Sequence, residues 1–324
     1  MNRVLQQLQG NFVICDLGAY GGEFRRMLAA FASSITFIEL DAVEKFGDVV
    51  DPFFKRVNFR SAIAGKKEKR RFYQRRFQPC SSFLLPDENV VRAFALEQYF
   101  ELDRSFEADC LTLKGLLRQA HVKHIDFLKT DLEGLDHEVL QSAPDIVQHC
   151  LAVQSELRFQ PLYRGEPYFE ITVAMLRKAG LELITVKPEY WKFETKTRDL
   201  LRDGRLVWGD FVFFLTPKKV RERFGKQAGL AFCKQIIIAK VLGLNNYATY
   251  IFEQNVRDIP EDLLAELQSL INDTRGLDNL ITRSVNKLAS TFFGRKIFPK
   301  LRRILARLSS VMTIDRNLKH IGTL

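Results

Sequence analysis

Val13-Ile14-Cys15-Asp16-Leu17-Gly18-Ala19-Tyr20-Gly21-Gly22 is an apolar run that ends in a carboxylate and breaks into a glycine-rich turn, and the helical-looking Glu23 to Ala32 follows it. The pattern reads as strand, tight turn, helix. Glycine suits such a turn because it accepts positive φ and lets a ligand approach the backbone, while the helix N-terminus behind it presents unpaired N–H groups. The spacing is not the G-x-G-x-x-G of a dinucleotide fold. A second apolar run, Ile35-Thr36-Phe37-Ile38-Glu39, ends in an acid about twenty residues further on, where a carboxylate can accept both hydroxyls of a ribose. Together the two runs predict a cofactor of the adenosine type, with Asp16, Gly18, Ala19, Gly21 and Glu39 around it.

A third run, His124-Ile125-Asp126-Phe127-Leu128-Lys129-Thr130-Asp131-Leu132-Glu133-Gly134, also ends in acids and glycine, and Asp136 to Ser142 continues as a helix. Asp-Leu-Gly-Ala-x-Gly, then Phe-Ile-Glu-x-Asp, then Ile-Asp-Phe-Leu-Lys-x-Asp-x-Glu-Gly, with Glu156 ending a further strand, resemble the FkbM-type S-adenosylmethionine-dependent methyltransferases. Pro161-Leu162-Tyr163-Arg164-Gly165 and the late strand Gly209-Asp210-Phe211-Val212-Phe213-Phe214 are similar as well. The resemblance runs from about residue 12 to 217. It implies a class I methyltransferase fold: a Rossmann-like α/β architecture with a mixed seven-stranded sheet and helices on both faces. It implies S-adenosyl-L-methionine as cofactor, with the adenine beside Ser61 and Ala62. The acceptor it implies is a hydroxyl of a sugar, glycoconjugate or related small metabolite.

Methyl transfer from a sulfonium is an in-line displacement, so holding donor and acceptor together does most of the work. A hydroxyl acceptor must also lose its proton, which calls for a base. Asp131, the main functional candidate of the third run, Glu133, Glu156 and His137 are all candidates for it, and the sequence does not rank them. The amine-methylating signature (Asp/Asn/Ser)-Pro-Pro-(Tyr/Phe/Trp) is absent after Leu128, where Lys129-Thr130-Asp131-Leu132 stands; oxygen is therefore the favoured acceptor atom. Asp131, Glu133, Asp136 and His137 together have the look of a hard-cation set. Acids at a helix start equally complement the helix dipole, and no metal is expected. Tyr163 and Arg164 are read as polar groups near the acceptor, although Tyr163 serves equally as a core aromatic with a wet tip.

The 324 residues suffice for one large core and a smaller domain. Five scattered cysteines without a C-x-x-C pair indicate neither a disulfide framework nor a zinc site and fit a reducing, cytoplasmic setting. Met1 to Gly10 is polar and reads as no leader, and eleven residues precede Phe12, which leaves little room for an N-terminal cap over the pocket. Ile236 to Leu244 falls short of the roughly 20 residues of a membrane span.

The net charge of +10 is uneven: residues 221–324 carry 17 Lys/Arg against 9 Asp/Glu. Pro217-Lys218-Lys219 follows the last apolar strand, which places a methyltransferase domain at 1–220 and an all-helical, basic C-terminal region at 221–324. Asp258-Ile259-Pro260-Glu261-Asp262 marks a helix start ahead of Leu263, Leu267 and Ile271, and further apolar stripes run through Leu277 to Phe292 and Ile297 to Leu308. Arg295, Lys296, Lys300, Arg302, Arg303 and Arg307 lie mostly off the last stripe. A packed helix with a solvated basic face is the favoured reading; peripheral contact with an anionic membrane at its inner, cytoplasmic face, or oligomerisation, is the other. Nucleic acid is not expected as a partner, because the basic residues lack interleaved aromatics. An alternative for the whole chain is a non-catalytic interaction protein that keeps the methyltransferase fold and docks through this region.

Overall fold

The computed structural model describes residues 2–43, 52–191, 193 and 204–273. Its strands and α-helices in chain order are α1 (Asn2–Leu8), β1 (Phe12–Leu17), α2 (Glu23–Met27), β2 (Ile35–Asp41), β3 (Lys55–Arg60), β4 (Ala62–Ile63), β5 (Glu68–Arg75), α3 (Glu88–Ala93), β6 (Leu102–Leu111), α4 (Leu113–Ala120), β7 (Phe127–Thr130), α5 (Asp136–Ser142), α6 (Pro144–Val147), β8 (Ala152–Arg158), α7 (Phe169–Lys178), β9 (Leu181–Trp191), β10 (Arg205–Leu215), α8 (Pro217–Phe224), α9 (Ala228–Val241), α10 (Asn245–Asn255) and α11 (Glu261–Asn272).

Seven strands form one sheet in the order β3-β2-β1-β7-β8-β10-β9. The first five of these run parallel, and β10 lies antiparallel between β8 and β9. This is the mixed seven-stranded sheet that the resemblance implies. Every residue of β1 and β2 is buried, so the centre of the sheet is covered on both faces, as parallel strands joined by helical crossovers require. Strand order reverses at β1, which has β2 on one side and β7 on the other, and a ligand crevice belongs at the carboxyl ends of such strands. A smaller sheet, β4-β6-β5, contributes Ala62, Ile63 and Phe72 to the wall of that crevice.

The domain division expected near residue 220 is corrected. Pro217 opens a helix instead of closing a domain: the Thr216 hydroxyl accepts the Lys219 N–H at 3.3 Å, and proline is favoured in a first helical turn. Helices α8 to α11 bury Val220, Phe232, Ile236, Ile251 and Leu263 in the same apolar core as the sheet. One compact unit therefore runs Met1–Ile271, and the second is Asn272–Leu324. Helix α9 is buried nearly all round, including Ile236, Ile237 and Ile238, as expected of a helix enclosed by protein. Its Gln235 donates to the carbonyls of Leu151 (3.1 Å) and Leu215 (2.9 Å). These carbonyls precede β8 and end the antiparallel β10, so α9 crosses the end of the sheet opposite the crevice. Helix α11 begins where the sequence predicts it. The stripes beyond Leu277, the basic helix among them, lie outside the described residues. Among the described residues no helix is long and apolar enough to cross a membrane.

Candidate active site

Strand β1 delivers Asp16 and Gly18 to a cavity of about 670 Å³ at the carboxyl ends of the central strands, a size within the roughly 300–1,000 Å³ of small-molecule sites. Gly18 has φ +83°, and a Cβ there would lie 1.9 Å from the Asp131 carbonyl oxygen, so only glycine lets the β1 turn pass against the loop after β7. The N–H groups of Gly18 and Ala19 both donate to the Leu40 carbonyl, at 2.9 and 3.1 Å. Ala19 is thus a turn-building residue, buried and off the cavity wall. Gly21 bends the same turn at φ +73° and also stands off the wall.

Glu39, expected to hold a ribose, is not among the residues lining the cavity. Its carboxylate is fully buried between Arg56, 2.6 Å away on β3, and Arg25, 3.6 Å away on α2. Burial raises its pKa and the two arginines oppose that rise. Two residues on, on the same face of β2, Asp41 does line the cavity, and its Oδ1 accepts the Val43 N–H at 2.8 Å. Ser61, whose N–H donates to the Asp41 carbonyl at 3.1 Å, and Ala62 line the same wall.

Between the two halves of the cavity stands Lys129, the register partner of Asp16. Its ammonium lies 3.0 Å from Asp16 and 3.6 Å from Asp131. Burial disfavours its charge, but these carboxylates outweigh burial and raise its pKa above the ordinary lysine value. Asp16 is itself raised by burial, against the pull of Lys129.

On the β8 side, Asp131, Glu133 and Glu156 bring one oxygen each within 4.8 Å of one another. Glu133 and Glu156 both pair with Arg158, which is almost fully buried. Its guanidinium lies 2.8 Å from Glu133 Oε2, against Glu156 Oε1, and 3.2 Å from Glu166 Oε1. Three carboxylates share this one buried cation, and burial pushes the pKa of Glu133, Glu156 and Glu166 upward against its attraction. Glu133 holds φ at +49°, rare for a residue with a side chain. The Ser82 hydroxyl pins its carbonyl at 2.7 Å. Asp210, bonded to Gln154, and Lys187 extend the polar floor onto β10 and β9.

The set Asp131, Glu133, Asp136 and His137 is not the one the fold gathers. The Asp136 carboxylate turns back to the Leu132 N–H at 3.2 Å, and burial pushes its pKa up to about 6. His137 Nδ1 meets the Thr172 hydroxyl at 3.0 Å, off the cavity wall. Arg164 is exposed and pairs with Glu88.

The family model for the methyltransferase FkbM domain matches residues 16–183, over half of the chain. The chain belongs to the FkbM methyltransferase family. No curated protein matches it significantly. Among solved structures, a Streptococcus pneumoniae protein described as a candidate tRNA (m1A22) methyltransferase aligns over 86% of this chain and 96% of its own, at 11% identity and a TM-score of 0.27. That likeness is too distant to bear on function.

In this FkbM chain the cavity therefore unites Asp16, Gly18, Ser61, Ala62, Asp131, Glu133 and Glu156, and leaves out Ala19, Gly21 and Glu39. Sequence reasoning missed Asp41, Gln154, Lys187 and Asp210 on the wall, a role for Lys129, and Arg158 with Glu166 behind it. One signal was readable: a charged residue inside a buried apolar strand, such as Asp210 in Val207-Trp208-Gly209-Asp210-Phe211, needs a partner or a function.

Proposed function

We propose that this FkbM methyltransferase is an S-adenosylmethionine-dependent O-methyltransferase acting on a hydroxyl of a sugar, glycoconjugate or related small metabolite. The observation that carries this reading is one cavity with a glycine cradle at one end and a carboxylate cluster at the other. The β1–β2 end fits a nucleoside-bearing cofactor: the Gly18 turn lines it, packed so closely on the Asp131 backbone that a Cβ would displace it, Asp41 offers a carboxylate for the ribose, and Ala62, Ile63 and Phe72 form an apolar wall for the base. When bound, S-adenosylmethionine supplies an electrophilic methyl group on a sulfonium.

Asp131 stands between the two ends and orients the acceptor hydroxyl. Glu133 takes that hydroxyl's proton as the methyl group is gained, and passes it to solvent through its partly exposed side chain. A carboxylate whose proton affinity has been raised by burial is a stronger base once ionised. Gln154, Asp210 and Lys187 supply the mixed donors and acceptors that a polyhydroxylated substrate needs to present one oxygen.

Calorimetric titration with S-adenosylhomocysteine should show binding, and Asp41→Ala should weaken it about ten- to a hundredfold, equivalent to ~1.5–3 kcal/mol for hydrogen bonds to a charged group. No binding to the folded protein would remove the cofactor reading. Labelled methyl donor incubated with an extract lacking this protein, plus the purified chain, should label a sugar methyl ether. Glu133→Gln should slow that labelling by about 10²- to 10⁴-fold, the range for loss of a general base; label in protein amines or in RNA bases would overturn the acceptor class.

A further inference from the structure

Tyr163 approaches Glu133 from the protein interior. Its ring is buried, edge-on to Phe100 at 6.0 Å, in an apolar cluster with Val91, Phe94 and Leu162. Its backbone N–H is held by Glu166 Oε2 at 3.2 Å. The phenol oxygen is therefore fixed in place, 2.8 Å from Glu133 Oε2 and 3.2 Å from the Cys80 carbonyl. Arg158 Nη2 reaches the same carboxylate oxygen, Oε2, at 2.8 Å. Both interior donors thus load one oxygen of Glu133, Oε2, and leave Oε1 without either of them.

We infer that Tyr163 is a positioning residue for the proton-accepting carboxylate: with Arg158 it clamps Glu133 through Oε2, so that Oε1 faces the acceptor hydroxyl. The left-handed backbone of Glu133 supports this, because strained conformations persist where surrounding contacts over-determine them, and they cluster at functional sites. Here the carbonyl is held by Ser82 and the carboxylate by two donors. Tyr163 keeps its own proton throughout. Burial and the neighbouring Glu133 raise its pKa well above the usual phenol value, so its part is to donate a hydrogen bond. With one hydrogen and two acceptors in reach, it donates to Glu133 when that group is ionised and can turn to the Cys80 carbonyl when it is not.

The charged and titratable groups facing Glu133 are Arg158 and Glu156 from β8, Glu166 and Tyr163 from the loop after it, Asp131 from its own loop, and Cys80. A donor to the ionised carboxylate lowers its pKa, so removing the phenol hydrogen must raise it.

The role rests on Glu133 being the base in the proposed reaction, but the test needs no acceptor. Infrared difference titration of the full chain with S-adenosylhomocysteine follows the carboxylic acid band of Glu133, identified by its loss in Glu133→Gln. In Tyr163→Phe the midpoint should move up by about one pH unit, roughly tenfold in proton affinity. Cofactor-product affinity should stay within about twofold of the parent, since Tyr163 does not line the cavity. Replacing Tyr163 with 3-fluorotyrosine keeps the packing and makes a stronger donor, and should move the midpoint down. Opposite movements in the two variants support the clamp. An unmoved midpoint, or movement in the same direction in both, overturns it, and loss of S-adenosylhomocysteine binding by the parent chain would instead overturn the cofactor reading.

Discussion

Lys234→Met is expected to destabilise the folded chain by about 3–5 kcal/mol, the range for removing one partner of a buried ion pair. Lys234 lies on α9 and is almost fully buried, with its ammonium 2.8 Å from Asp126 Oδ1 and against the Asn11 carbonyl. Asp126, at the amino end of β7, is fully buried. Its other oxygen accepts the Val13 N–H at 2.8 Å and lies 3.3 Å from His124 Nε2. Burial would raise the Asp126 pKa, but Lys234 and His124 more than offset it and hold the group below the usual carboxylate value. Methionine fills the space and leaves that carboxylate without its cation.

The pH dependence follows with a definite sign. A depressed carboxylate pKa contributes stability that is present above the unfolded value of about 3.9 and is lost as pH falls through the folded value. In Lys234→Met the folded value rises, so acid unfolding, followed by circular dichroism, should begin at higher pH. Urea denaturation should show the loss at neutral pH, and Asp126→Asn in the same chain should recover part of it. A loss below about 1 kcal/mol would mean that α9 is not anchored to the sheet through this pair. Truncation at residue 220 removes the same anchor along with Phe232 and Ile236, and should leave no cooperatively folding protein.

That α9 belongs to the main core was not evident from periodicity. The change from strand-like to helical spacing near Pro217 marks a change of secondary structure, and says nothing of what the helices pack on. The clue was Ile236-Ile237-Ile238 beside Lys234 and Gln235: a helix without a polar face has to be enclosed, and its few polar groups need buried partners. The central strands were readable because Val13-Ile14-Cys15 runs apolar into Asp16, and Ile125 to Leu128 is largely apolar ahead of Lys129 and the acids Asp131 and Glu133. Which acid reaches the cavity was less readable. Glu39 and Asp41 lie on one face of β2, and the choice is made by Arg25 and Arg56, which meet Glu39 only in three dimensions. Arg158 escaped notice for a similar reason. An arginine near a strand end is ordinarily a surface residue, and only the fold shows three carboxylates converging on it.

Gly18→Ala and Gly21→Ala look alike in sequence and should behave differently. Both glycines have positive φ, which an L side chain adopts at about 1–2 kcal/mol. At Gly21 nothing lies within 4 Å of the added Cβ, so that strain is the whole effect and S-adenosylhomocysteine should still bind within a few-fold of the parent. At Gly18 the Cβ would fall 1.9 Å from the carbonyl oxygen and 2.9 Å from the carbonyl carbon of Asp131. Both are backbone atoms, so no side-chain rotation relieves the overlap, and the ends of β1 and β7 must separate. Asp131 donates its own N–H to the Leu17 carbonyl at 2.9 Å, and that bond resists the separation. The displacement moves Asp131 and Glu133 together with the cradle, which couples the two ends of the cavity through one contact. Gly18→Ala should therefore lower the melting temperature more than Gly21→Ala and weaken S-adenosylhomocysteine by at least about a hundredfold, ~2.7 kcal/mol. Equal affinities for the two variants would show that the close passage of the β1 turn against the β7 loop does not shape the binding site.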